Sequence, residues 1–371
     1  MHFKKIAALF VAFAMAGSLA GCTNGGKTAS SDSSSAASVA STTSGTRMFT
    51  DSAGRKVEIP TNITKIAPSG SLAQVFLYSL CPDKLIGLSG KFADSVKPYI
   101  DQKYWNLPVF GQFYGKNVNL NIEALAAAHP QIIIDIGEKK ATEKADMDGV
   151  QQQTGIPVIF VEATLDTMPK AYQTLGDILS EQSTAKKLSD YVGQTLADAK
   201  TKSASIPANK KLKVYYGLGD TGLQTNPKGS IHADVIDRVG AINVADVNDS
   251  TGTGGVNVSM EQVMQWAPDV MIFDPQSVYS KVGQDPLWKD LSAVKNKKVY
   301  EVPMGPYNWM GRPPSVNRVL GIKWLGNLLY PSVYKYNMVQ EAEKFYDLFY
   351  HYKLNEEQAK KLMANSTFLQ S

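Results

Sequence analysis

The residues best suited to ligand chemistry lie late in the chain, in the run 304–314, MGPYNWMGRPP. Tyr307, Trp309 and Met310 offer aromatic and soft apolar surface, and Arg312 offers a fixed cation. Aromatic faces suit a macrocycle or a catechol, and a guanidinium suits a carboxylate or another anion. The plain alternatives are interdomain packing for Tyr307 and Trp309, and a loop-ordering salt bridge for Arg312. Further loops follow predicted strands: Pro68-Ser69-Gly70-Ser71, Gly90-Lys91-Phe92, Gly137-Glu138-Lys139, Leu218-Gly219-Asp220 and Pro275-Gln276-Ser277-Val278-Tyr279. From these, Ser69, Ser71, Lys91, Phe92, Gly219 and Tyr279 join Tyr307, Trp309 and Arg312 as expected ligand contacts.

Other chemistries are poorly served. The four histidines, His2, His129, His232 and His351, are scattered, and no pair has metal-ligand spacing. No G-x-S-x-G nucleophile elbow is present. No catalytic residue, metal site or cofactor is therefore expected. The run 217–222, GLGDTG, fits G-x-G-x-x-G after a predicted strand. A dinucleotide site needs a helix to begin inside that motif, and here Leu-Gln-Thr-Asn-Pro follows. It reads as a glycine-containing pocket loop. The run 21–28, GCTNGGKT, matches a phosphate-loop pattern but has no strand before it.

The front end reads as an export signal. Lys4 and Lys5 precede an apolar stretch at 6–16, too short for a spanning helix of roughly 20 apolar residues. Leu19-Ala20-Gly21-Cys22 follows and resembles the lipobox of bacterial lipoproteins. That resemblance implies cleavage after residue 21 and a lipid on Cys22, holding the protein on the outer face of the cell membrane. Residues 22–46 are almost entirely Ser, Ala, Thr and Gly after the Cys. Such a stretch buries too little apolar surface to offset its ordering entropy, so a tether is expected.

About 320 residues remain, which exceeds a single growing core and favours two lobes. Without residues 1–21 the chain has 36 basic and 34 acidic side chains, a net +2. That balance is too even for nucleic-acid binding by charge. Cys81 is the one thiol left beside Cys22, and its apolar surroundings, LYSLCPDKLIGL, point to a buried structural role.

Periodicity then sets the elements. A hairpin is expected over 49–60, turning at Ala53-Gly54. Strands are expected at 63–67, 84–88, 131–136, 157–162, 211–217, 270–273 and 298–302. Helices are expected at 72–80, 121–128, 231–239, 260–266, 316–329 and 340–349. Between the two alternating regions, 167–204 is helix-compatible almost throughout, softening only near Ser180-Glu181-Gln182. The fold class is thus α/β, two Rossmann-like lobes (47–166 and 205–371) joined by one long helical connector (167–204). Ligands of such folds lie at strand C-terminal ends and between domains.

Over roughly 47–350 the chain resembles the helical-backbone (class III) substrate-binding proteins of ABC importers, which serve ferric siderophores, haem and cobalamin. The resemblance rests on the opening Thr50-Asp51-Ser52-Ala53-Gly54-Arg55 hairpin with Val57-Glu58-Ile59-Pro60. It rests also on two related motifs, one per lobe. Asn121-Ile122-Glu123-Ala124-Leu125 is followed by His129-Pro130-Gln131-Ile132, and Ser259-Met260-Glu261-Gln262-Val263 by Ala267-Pro268-Asp269-Val270. His129 and Gln131 depart from the usual Lys-Pro-Asp. The resemblance implies a monomer that carries a metal chelate to a permease dimer. Glu123 and Glu261 would dock on the two permease subunits. A small oxyanion such as molybdate or tungstate is the alternative ligand, and a surface enzyme or adhesion module the alternative class.

Overall fold

The computed structural model describes residues 45–114, 118–248, 255–275 and 277–366. The expected signal (1–21), Cys22, nearly all of the tether and Gln276 lie outside them. The first lobe opens with an antiparallel hairpin, β1 (Thr46–Thr50) and β2 (Lys56–Pro60). Its parallel sheet follows, in the order β3 (Ile66–Pro68), β4 (Ile132–Gly137) and β5 (Val158–Glu162). Helices α1 (Ser71–Leu80), α2 (Ile122–Ala128) and α3 (Glu143–Thr154) connect these strands. Buried Arg55 ties the hairpin down, donating to Asp51, Asp148, Gln151 and the Val158 carbonyl.

The connector is α4 (Met168–Leu179) and α5 (Gln182–Ala204), broken at Ser180 in the left-handed region, φ 58°. The two helices pack closely at Gly176, where a Cβ would stand 2.4 Å from that of Ala185.

The second lobe runs β6 (Lys213–Leu218), β7 (Gln224–Thr225), α6 (Asp234–Arg238), β8 (Ile242–Asn243), β9 (Val256–Asn257), α7 (Met260–Trp266), β10 (Val270–Phe273), α8 (Ser292–Lys295) and β11 (Val299–Glu301). Its sheet has the order β11-β10-β6-β7-β9, with β8 also on β6. A helical tail closes the described chain: α9 (Asn317–Leu329), α10 (Pro331–Tyr334), α11 (Met338–Tyr350) and α12 (Glu356–Leu362). No described helix is long and apolar enough to cross a membrane.

Both sheets are covered on both faces, which is why their central strands are continuously apolar. Along β4, Ile132, Ile134 and Ile136 enter the large central core, while Ile133 enters a smaller one. Along β10, Val270 and Ile272 enter that same central core, and Met271 and Phe273 a third. One core therefore runs through both lobes, carried by α1, the connector, α9 and α11. Asp166, at the end of the first lobe just before α4, accepts paired bonds of 2.6 and 2.7 Å from Arg238 of α6 in the second lobe.

Two local expectations are corrected. Residues 84–88 form no strand: a short 3-10 turn ends at Lys84, and only single bridges join Leu85 to Ile66 and Leu88 to Val109. The helix expected over 231–239 shrinks to Asp234–Arg238, because Ser230 to Ala233 is turn. The polar helix α3 was not anticipated, since it carries only Met147 and Val150 as buried apolar side chains.

Candidate functional site

Parallel sheets place their strand C-terminal ends on one edge, and each lobe presents an aspartate there. In the first lobe this is Asp135 on β4, 4% exposed. The Ser69 hydroxyl, just after β3, donates to its Oδ1. The Tyr114 hydroxyl donates to Oδ2 at 2.7 Å. Burial, and then the Asp135 charge, push the Tyr114 phenol far up, so it stays a donor. Gln112 accepts from the Ser71 amide at 3.3 Å, tying the loop to the start of α1.

The second lobe repeats the plan with Asp274, directly after β10. Tyr216 on β6 donates to its Oδ1 at 2.6 Å, and Asn308 Nδ2 to the same oxygen at 2.5 Å. Arg312 Nε stands 3.8 Å from Oδ2. Burial raises the Asp274 carboxyl, opposed by the Tyr216 hydrogen bond and the Arg312 charge. Asn308 also accepts from the amides of Met310 and Gly311, which shapes the loop bearing Arg312. Beside it, His232 Nδ1 meets the Gly311 carbonyl at 2.6 Å. Arg318 at the start of α9 is 2% exposed, bonded to the Ser315 and Ile231 carbonyls, with Asp234 at 4.0 Å. Burial lowers its guanidinium to about 10, offset by Asp234 and by Glu138 of the first lobe.

The residues anticipated from sequence separate into two groups. Ser69, Gly219 and Arg312 lie at strand ends, with Ser277 Oγ donating to the Gly219 carbonyl at 2.6 Å. Ser71 and Lys91 are exposed and Tyr279 half-buried. Two aromatics expected at the ligand are core instead. Trp309 is 0% exposed, and the Gly321 of α9 lies so close that a Cβ there would meet the Trp309 carbonyl at 1.9 Å. Phe92 is 5% exposed, with its ring edge-on to Tyr78 at 6.3 Å. Tyr307 is half-buried, 6.5 Å from the Tyr350 ring, and burial pushes its phenol up. Cys81 is buried, and burial drives its thiol pKa up, so it is inert.

Asp135, Tyr114, Tyr216, Asp274, Asn308 and Arg318 were not anticipated. A signal existed for two of them: a carboxylate interrupts or ends an apolar strand in IIIDI and VMIFD.

Glu123 and Glu261 are exposed in the first turns of α2 and α7. Each helix is capped, by Asn121 and by the Ser259–Gln262 capping box respectively. The Glu261 carboxyl is held low by its own backbone amide and the Ser259 hydroxyl. Exposed apolar side chains flank both: Val118 and Ile122 near Glu123, Met264 near Glu261. Among the described residues no three His, Cys, Asp or Glu side chains converge as a metal site.

A two-lobed α/β body with a helical connector is the fold of the class III solute-binding proteins of ABC importers. The chain belongs to the periplasmic binding protein family, whose model matches residues 83–304. An ABC transporter solute-binding protein of Sulfurospirillum deleyianum superposes with TM-score 0.79 at 31% identity, covering 86% of this chain and 99% of that one. The molybdate-binding protein MolA of Haemophilus influenzae is 23% identical over 82% of this chain and 91% of its own. The haem uptake protein IsdE of Staphylococcus aureus is 25% identical over 56% of this chain and 70% of its own.

Proposed function

We propose that this protein captures a compact anionic solute, an oxyanion of the molybdate type, between its lobes and delivers it to an ABC importer permease. The observation that carries this reading is the second-lobe strand-end cluster, where Arg312 stands over Asp274 beside Asn308. Burial of Trp309 and Phe92 supports it further, because the stacking surface a macrocycle needs is absorbed into the core. The length of the match to MolA agrees. The exposed Ser71 hydroxyl and the Gly219 backbone can complete an anion's hydrogen bonds, while the Ser69 proton is committed to Asp135.

A metal chelate (iron–siderophore, haem or cobalamin) is the second reading. A groove of about 510 Å³ favours it, lined by Tyr99 of the first lobe and by Pro275, Val302 and Met304 at second-lobe strand ends. The match to IsdE supports the same reading.

Delivery follows from Glu123 and Glu261. One charge on each lobe, ringed by Val118, Ile122 and Met264, offers a bidentate anchor for an arginine and apolar surface around it. Cys22 carries the lipid that holds the protein on the outer face of the cell membrane, and the protein acts as a monomer without enzymatic activity.

Thermal melting with molybdate, tungstate, haemin, cobalamin and ferric siderophores separates the two ligand readings. A ligand specific to the folded state adds about 2.7 kcal/mol of stability at a hundredfold excess over Kd. A shift with oxyanions alone supports the first reading, and one with a chelate alone transfers the site to the groove. Radiolabelled fatty acid entering the wild type but not Cys22→Ala tests the anchor.

A further inference from the structure

The first lobe buries two acidic side chains against each other. Asp135 and Glu143 are 4% and 1% exposed. Asp135 is satisfied by the hydroxyls of Ser69 and Tyr114. Glu143, the first residue of α3, is not: no donor meets either of its carboxyl oxygens at full hydrogen-bond geometry, although the Lys140 backbone amide lies near enough to favour the charged form. The side chain within its reach is the Asp135 carboxyl. Two carboxylates buried side by side, with no side-chain donor between them, carry a large desolvation and repulsion cost. A single proton removes both difficulties, because it turns one acid into the donor that the other accepts.

We propose that Asp135 and Glu143 share one proton, and that this acid–carboxylate pair positions the Ser69 and Tyr114 hydroxyls at the ligand cleft. The second half of that statement rests on the strand-end cleft being the solute site. The charged groups around the pair come from every neighbouring element. Asp135 comes from β4 and Tyr114 from the loop before α2. Lys140 comes from the loop after β4, with its ammonium 5.1 Å from the Tyr114 ring centre, and Asp146 from α3 itself. Lys140 favours a charged Glu143, whereas burial and Asp135 oppose it and raise the carboxyl to about 7. The proton is then lost near neutrality rather than in acid.

The sign follows from linkage. Folded Glu143 binds its proton more tightly than unfolded Glu143. Its contribution to stability is whole below the ordinary carboxylate range, declines as pH rises toward about 7, and stays low beyond. Above that pH the second negative charge repels Asp135 and draws the two hydroxyls away from the cleft. Anion affinity should fall with it. Neutral Gln at 143 keeps the shape and supplies a permanent N–H donor to Asp135.

The test is thermal unfolding of the full chain, wild type against Glu143→Gln, from about pH 5 to about pH 8, with and without millimolar calcium or magnesium. The wild-type Tm should drop by about 3 °C more than that of the variant across the window. Parallel profiles overturn the proposal. So does a wild-type Tm raised by calcium or magnesium but unchanged in Glu143→Gln, because the pair then holds a cation. Should the variant not fold, the infrared band of a buried protonated carboxyl in the wild type decides. Its presence near pH 6 and loss by about pH 8 support the pair, and its absence throughout rejects it. Molybdate titrations at both ends of the window test the coupling. Tighter binding in acid, flattened in Glu143→Gln, supports it, and equal wild-type affinities reject it. No molybdate binding at either pH rejects the oxyanion reading, while the melting profiles still decide the shared proton.

Discussion

Each lobe carries an aspartate at a strand end, Asp135 buried and Asp274 partly buried, each held by a tyrosine hydroxyl, yet the surroundings carry opposite charge. Asp135 of the first lobe is backed by Glu143, a second acid. Asp274 of the second lobe is faced by Arg312 and Asn308. One backbone geometry thus serves two electrostatic purposes. The parallel strand end supplies the position, and the neighbouring loop decides which charge the ligand meets. On the proposed reading an anion leans on the second lobe, where Arg312 supplies the positive charge, and the first lobe's hydroxyls stay committed to its acid pair.

The comparison can be broken in order of effect. Trp309→Ala should cost about 3–5 kcal/mol in urea unfolding, because a fully buried indole leaves a large cavity in the frame of the second lobe. A loss under about 1 kcal/mol would return Trp309 to the ligand surface. Asp274→Ala should cost about 3 kcal/mol, since the Tyr216 and Asn308 donors lose their acceptor and Arg312 its counter-charge. Asp135→Ala should cost about 1 kcal/mol less, because it relieves Glu143 as it strands two hydroxyls. Equal costs would erase the distinction between the lobes. Arg312→Gln should weaken molybdate binding about 10- to 100-fold by calorimetry, with Tm nearly unchanged. Glu123→Gln and Glu261→Gln should each weaken permease binding up to about tenfold and leave solute affinity intact. A change in solute affinity would move these glutamates out of the docking role.

Much of the frame is legible in the sequence. Strands such as 132–137 and 270–273 announced themselves as short apolar runs, because sheets covered on both faces need no polar side. The connector and its break near Ser180 were readable from composition alone. Helix α3 was not, because EKADMDGVQQQT has too few apolar residues to draw a stripe, and Glu143 went unnoticed with it. The site was harder. Asp135 and Asp274 stand out as acids in apolar strands, but two of the side chains that bond them, Tyr114 and Asn308, lie 21 and 34 residues away in irregular loops.

What the sequence determined by itself was local: alternation, caps, breaks, and the glutamates at two helix starts. These follow from backbone preference and from each residue's immediate neighbours. Only the tertiary structure decided that Trp309 and Phe92 are core while Arg312 faces an aspartate, and that Glu143 is buried beside Asp135. Burial and pairing depend on which distant segments arrive at a place. That is settled by the packing of two sheets and a shared core, not by the side chain's own character.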